Sequence, residues 1–308
     1  MKQYIITALS LLSMLALTGC DDDNAIQKES VITADSYVQQ DFDKWLEKNF
    51  VLPYNIDFKY RYEEIEADYN YYTVPADVKY SIQLAHLVKY LCVETYNEVA
   101  SVEFTRSYFP KEFFLIGEFE YQNNGTMVLG TAEGGRKIIL MGVNHLDEIL
   151  KEGIDELNHY YIKTIHHEFT HILNQVRNYP TSFQVVNGDK YVNDSWSEAP
   201  YSNVHLQRGF ITAYAQMEHR EDFAEMLSEY VTHDAAWWEK QMQLADTVYA
   251  ADPDQVLTGR VLIEKKLDIV RAYMRDVFNI DIDEIRDAVM RRQDDVENGL
   301  VDLDDIDL

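Results

Sequence analysis

The stretch TIHHEFTHIL contains an H-E-x-x-H pentapeptide, His167-Glu168-Phe169-Thr170-His171. Neutral imidazoles are good zinc donors. Side chains four apart share one helix face, so on a helix His167 and His171 can address a single ion. Glu168 then stands beside that ion, placed to take a proton from a water rather than to bind metal itself. His166 lies about a hundred degrees around the helix from His167, which makes it a packed or supporting neighbour.

A catalytic zinc needs a third protein ligand and one open position. In a metzincin the motif would continue with glycine and histidine, but the chain has Asn174 and Arg177 there, which excludes that class. The segment HREDFAEMLSEY (219–230) offers Glu221 and Glu225 on one face, fifty residues beyond His171. This spacing assigns Glu221 to the metal and Glu225 to orienting a ligand from behind. Glu198, His205 and His219 are alternative third ligands by chemistry, the two histidines giving an all-histidine site. Gln175, one turn after His171, is a candidate for the same groove. No G-x-S-x-G elbow is present, and Cys92 on an apolar helix face reads as a core residue.

The segment TAYAQMEHREDFAEML (212–227) resembles the part of the anthrax lethal-factor catalytic domain and its relatives that supplies the glutamate ligand in an E-x-x-A-E context. That resemblance implies a gluzincin. It also implies that Tyr214, seven residues before Glu221, donates a hydrogen bond to the oxyanion of the reacting carbonyl.

These residues need elements to hold them. Apolar spacing predicts helices over 35–51, over 77–102, and from Asp147 or Asp155 to Arg177. The last of these has Leu157, Tyr161, Ile165, Ile172, Leu173 and Val176 on its apolar side. A further helix covers about 218–233, and the remainder is mostly helical. NIDFKYRYEEI (55–65) alternates like a strand. FFLIGEFEY (113–121), TMVLGT (126–131) and KIILMGV (137–143) are runs of β-formers separated by QNNG and AEGG, so two consecutive hairpins are expected. Glycines 130, 134 and 135 lack phosphate-loop spacing and read as turn residues. Residues 178–203 read as loop, and 297–308 as an acidic tail without calcium-loop spacing. The expected fold class is α+β: a zincin-like domain with a small, mainly antiparallel sheet, an active-site helix and a largely helical C-terminal part.

The chain opens with MKQYIITALSLLSMLALTGC, whose last four residues resemble the lipobox of bacterial lipoproteins. The expected organisation is a signal peptide over 1–19, lipidation of Cys20, a tether over 20–34 and one domain over 35–308. Within that domain an N-terminal part covers about 35–150 and a catalytic, helical part about 151–296. With Cys92 the only other cysteine, an apolar core must supply stability; 46% hydrophobic content over 308 residues is ample for one. A formal charge of -27 argues against nucleic acid as a partner.

The acidic run DDDN after Cys20 resembles the surface-export signal of Bacteroidetes lipoproteins. The whole layout resembles the zinc metallopeptidase lipoproteins of that phylum. That resemblance implies Zn2+ as cofactor, a peptide or protein substrate, a lipid anchor in the outer membrane with surface exposure, and association with an outer-membrane nutrient importer. The competing readings are a zinc-containing lipoprotein that binds peptides or glycoproteins without cleaving them, and a zinc hydrolase of non-peptide amides.

Overall fold

The computed structural model describes residues 39–63, 73–121, 127–128, 130–133 and 136–307. The expected leader and tether, with Cys20, lie outside these residues. The chain divides into Met1–Gln40 and Asp41–Leu308, and the architecture is that of the second unit. Helix α1 (Asp41–Leu46) continues through a wide turn, Glu47–Val51, and buries Phe42, Trp45 and Phe50. Strand β1 (Asp57–Lys59) follows, then α2 (Val78–Val88), capped by the Asp77 carboxylate, which accepts from Lys79 N. Helices α3 (Glu94–Val99) and α4 (Val102–Tyr108) lead into the sheet region. There lie β2 (Glu112–Leu115), β3 (Glu120–Tyr121), β4 (Met127–Val128), β5 (Gly130–Glu133) and β6 (Lys137–Leu140).

The sheet corrects the expected topology. Strand β2 pairs in parallel with both β1 and β6, placing Phe113 opposite Phe58 and Ile138. Only β5, at the end of the order β1-β2-β6-β5, joins antiparallel. The two hairpin pairings exist locally, as β3 with β4 and β5 with β6, but they are not the spine of the sheet. The physical reason is burial on both faces. Phe113, Leu115, Ile138 and Leu140 enter the main core, while Phe114, Ile116, Ile139 and Met141 form a second apolar cluster. Continuous apolar runs of this kind suit parallel strands better than the alternation of a half-exposed hairpin. FFLIGEFEY is also not one strand. It breaks at Gly117, where the Pro75 carbonyl and the Asn144 side chain leave no space for a Cβ.

After the sheet, α5 (Leu146–Glu152) stops at Gly153, whose φ of 111° favours glycine. The turn Ile154–Leu157 and a wide turn, Asn158–Ile162, then feed α6 (Lys163–Val176), the helix carrying H-E-x-x-H. Its Ile165, Phe169, Ile172 and Leu173 are buried in the core, as are Leu157 and Tyr161 before it; Val176, expected on the same side, is exposed. The segment expected as loop contains α7 (Thr181–Asn187), which begins after Pro180 and seats the fully buried Phe183 against Phe223.

Helices α8 (His219–Thr232), α9 (Ala235–Ala245), α10 (Gly259–Phe278) and α11 (Ile282–Glu297) complete the helical C-terminal part. Helix α8 packs along α6 and is backed by α10 and α11. The acidic end is not loose: Leu303 and Ile306 pack on the core, and Gln83 Nε2 donates to Asp304 at 2.9 Å. Among the described residues no helix is long and apolar enough to cross a membrane.

Candidate metal centre

Helix α6 presents His167 and His171 one turn apart, and the first turn of α8 presents Glu221 against them. His167 Nε2 and His171 Nε2 lie 3.0 Å apart, and Glu221 Oε2 is 3.1 Å from the first and 3.2 Å from the second. A tetrahedral ion with bonds of about 2.0 Å has ligand–ligand edges of about 3.3 Å, so this triangle fits one face of a zinc site. Among the described residues it is the one group of three such donors whose ligand atoms converge. His219, His205 and Glu198 are not part of it. His219 Nδ1 is paired with the Tyr179 hydroxyl at 2.6 Å, and His205 Nδ1 sits 3.0 Å from the Ser202 carbonyl oxygen. Glu198 and Gln175 are exposed.

Behind the triangle stands a buried layer of charge. Glu225, one turn after Glu221, places Oε1 2.7 Å from His167 Nδ1, at an angle a straight hydrogen bond would not take. Lys163, one turn before His167, lies 2.9 Å from both oxygens of Glu225 and 3.4 Å from Glu229. Thr212 Oγ1 donates to Glu225 Oε2 at 2.7 Å. Burial works against the charge of both glutamates. Even so, His167 and His171 at Glu221, and Lys163 with His167 at Glu225, hold them well below the usual carboxylate range. Burial likewise pushes the His167 imidazolium down, but Glu221 and Glu225 outweigh it and raise the pKa to about 10 in the metal-free protein. This cluster holds positive charge, and a divalent cation satisfies the same field.

Glu168 is half-buried, and burial raises its pKa above the usual carboxylate value; the histidines oppose this, while Glu221 and Glu225 add to it. Tyr214 heads the short turn Tyr214–Gln216, with its ring centroid 6.0 Å from that of His167 and its hydroxyl within reach of Glu221. Burial and the neighbouring carboxylates push that hydroxyl far up, so it stays protonated. Trp196 stands edge-on to Tyr214, with centroids 5.1 Å apart. His166 belongs to the core, as a packed neighbour. It is fully buried, its Nδ1 is 2.9 Å from the Tyr96 hydroxyl, and desolvation lowers its pKa to about 3. Cys92 is buried and unpaired, and burial pushes its thiol up.

Sequence reasoning missed Lys163, Thr212 and Trp196. Lys163 carried a usable signal, being four residues before His167 and hence on the same face. Thr212 and Trp196 sit in irregular backbone, where spacing has no rule to offer.

An H-E-x-x-H helix facing a glutamate from a later helix is the arrangement of a metal-dependent hydrolase. The family comparison is more specific. The model of the family described as "Putative zinc-binding metallo-peptidase" matches residues 35–283, and the chain belongs to that family. A crystal structure described as a "putative zinc-binding metallo-peptidase from Bacteroides caccae" is similar in sequence and fold, with 36% identity and a TM-score of 0.71. The match covers 90% of this chain and 100% of the other. A search of curated proteins finds no match. Zinc is thus the metal of this family, and peptidase its activity class.

Proposed function

We propose that the protein is a gluzincin-type endopeptidase in which His167, His171 and Glu221 hold zinc, Glu168 is the general base and Tyr214 the oxyanion donor. The observation that carries this reading is the triangle of Nε2, Nε2 and Oε2 with 3.0–3.2 Å edges, beside a half-buried glutamate. Zinc held by these three residues would supply Lewis acidity toward the scissile carbonyl and toward a water that must give up a proton near neutrality.

The remaining work falls to side chains. Glu168, its carboxyl made more basic by burial, accepts the proton of the attacking water and passes it to the leaving amine. Tyr214, kept protonated, donates to the oxygen that gains negative charge. Glu225 orients His167 from its Nδ1 side. Strand β5 lies at the edge of the sheet and against α6, so an extended peptide adding to that edge would run along the active-site helix.

We further propose that the protein is anchored by lipid at its N-terminus. The lipobox-like end at Cys20 and the DDDN after it favour a lipid-anchored protein exposed on the outer membrane, and the layout of lipobox, H-E-x-x-H and late glutamate pair favours work beside a nutrient importer. Cys20→Ser should then release the protein from the membrane fraction.

The decisive experiment combines metal analysis with digestion of a peptide library by wild type and Glu168→Ala. One zinc per chain in both, with cleavage by wild type alone, is the expected result. Full zinc with no cleavage of any library would instead leave the binding lipoprotein as the better reading.

A further inference from the structure

We infer that Thr212 is a positioning residue tying the Tyr214 turn to the carboxylate behind His167, and that Lys163 holds the same carboxylate from the other side. The inference rests on the site assigned above and extends it to residues outside the ligand set.

The turn Tyr214–Gln216 has no side-chain cap from Ala213, the residue at its start. The cap comes one residue earlier: Ala215 N–H donates to Thr212 Oγ1 at 3.0 Å. A hydroxyl has a single proton, and Thr212 gives its own to Glu225 Oε2 at 2.7 Å. The polarity is therefore fixed along one line, from the backbone of the Tyr214 turn through the hydroxyl to the carboxylate. The other oxygen of Glu225 lies 2.7 Å from His167 Nδ1, while Lys163 Nζ reaches both oxygens at 2.9 Å. Lys163 is itself braced by Glu229, 3.4 Å away.

Glu225 is buried and so cannot replace a lost partner with bulk water. Removing one donor lets the carboxylate rotate, and that rotation is felt at both ends. His167 loses the group that sets its ring, and the turn loses the cap that sets Tyr214. Metal affinity and oxyanion geometry are thereby coupled through one hydroxyl.

Thr212→Val keeps the volume and removes both hydrogen bonds, whereas Thr212→Ser keeps both. The readouts are zinc affinity of the full chain by chelator competition, and kcat and KM on a peptide that wild type cleaves. Thr212→Val should weaken zinc binding several-fold and lower kcat roughly tenfold at unchanged KM, with Thr212→Ser close to wild type. With zinc saturating, so that the His167 end shows only in zinc affinity, Thr212→Val in a Tyr214→Phe background should cost kcat nothing more. Lys163→Met should weaken zinc binding roughly tenfold or more, and Lys163→Arg should recover part of that.

The inference is overturned if Thr212→Val binds zinc like wild type, if Thr212→Ser is as impaired as valine, or if the Thr212 and Tyr214 losses multiply. A wild type that binds zinc but cleaves nothing would sink the peptidase reading. The zinc affinities of the Thr212 and Lys163 variants would still decide this one.

Discussion

At the scale of single residues, the roles proposed for Glu168 and Tyr214 are separable. Glu168 is not one of the three converging donors, and glutamine keeps its shape, so Glu168→Gln should keep zinc and fold while losing the proton acceptor. General-base removal of this kind costs about 10²- to 10⁴-fold in rate, and the loss should appear in kcat with little change in KM. Tyr214→Phe keeps the ring packed against Trp196 and removes only the donor. A loss of about 10²- to 10³-fold in kcat is expected, matching the removal of one oxyanion donor. Steady-state kinetics on a peptide substrate checks both. A Tyr214→Phe enzyme with undiminished kcat would remove the tyrosine from the mechanism.

At the scale of elements, two charge clusters hold α8 in place. Asp222, next to Glu221, and Lys266 of α10 are both fully buried, with Nζ 2.6 and 2.7 Å from the two carboxylate oxygens. Tyr191 adds a hydrogen bond at 2.9 Å, which brings the 188–217 segment onto the same anchor. Breaking such a pair strands a buried charge, so Lys266→Met should cost about 3–5 kcal/mol in denaturant unfolding. Asp222→Asn in the same chain should return part of that loss. The second cluster joins Tyr230 of α8, Arg271 of α10 and Asp283 of α11, with Arg271 Nη2 2.9 Å from Asp283 Oδ1. Burial works against the Asp283 charge, but Arg271 and Tyr230 outweigh it and hold its pKa below the usual value. A depressed carboxylate contributes stability that is present above its unfolded pKa, about 3.9, and lost as pH falls through its folded pKa. Asp283→Asn should therefore lower stability at neutrality and flatten the acid limb of the stability curve, with the two proteins converging below about pH 4 in denaturant unfolding. These clusters mark the limit of what the chain discloses. Helix α6, helix α8 and the pairing of Glu221 with Glu225 are readable because a helix repeats its face every three to four residues. The partners Lys266, Thr212 and Asp283 are not, because nothing local ties them to α8. The parallel sheet is legible in principle: Phe113 to Ile116 and Ile138 to Met141 are unbroken apolar runs that must be buried on both faces, which a half-exposed hairpin does not provide.

At the scale of the whole molecule, the proposed ligands come from two helices that are fifty residues apart in sequence. The unfolded chain has no such site, so the free energy of metal binding becomes free energy of folding. At free zinc a thousand times its dissociation constant this amounts to about 4 kcal/mol. Protons compete for the same donors. In the metal-free protein the charged pairing of His167 with Glu221 and Glu225 is stabilising in full below the unfolded histidine pKa of about 6.5. It fades as pH rises through the folded value of about 10. Zinc requires the neutral imidazole, so its contribution moves the opposite way and grows with pH. A chelator should therefore lower the melting temperature, and by more at pH 8 than at pH 6. Glu221→Ala should melt at one temperature with or without chelator at both pH values. Thermal scans of the two proteins under the four conditions test this. If the chelator shifted Glu221→Ala as far as wild type, the ion would not be held by the α6–α8 triangle.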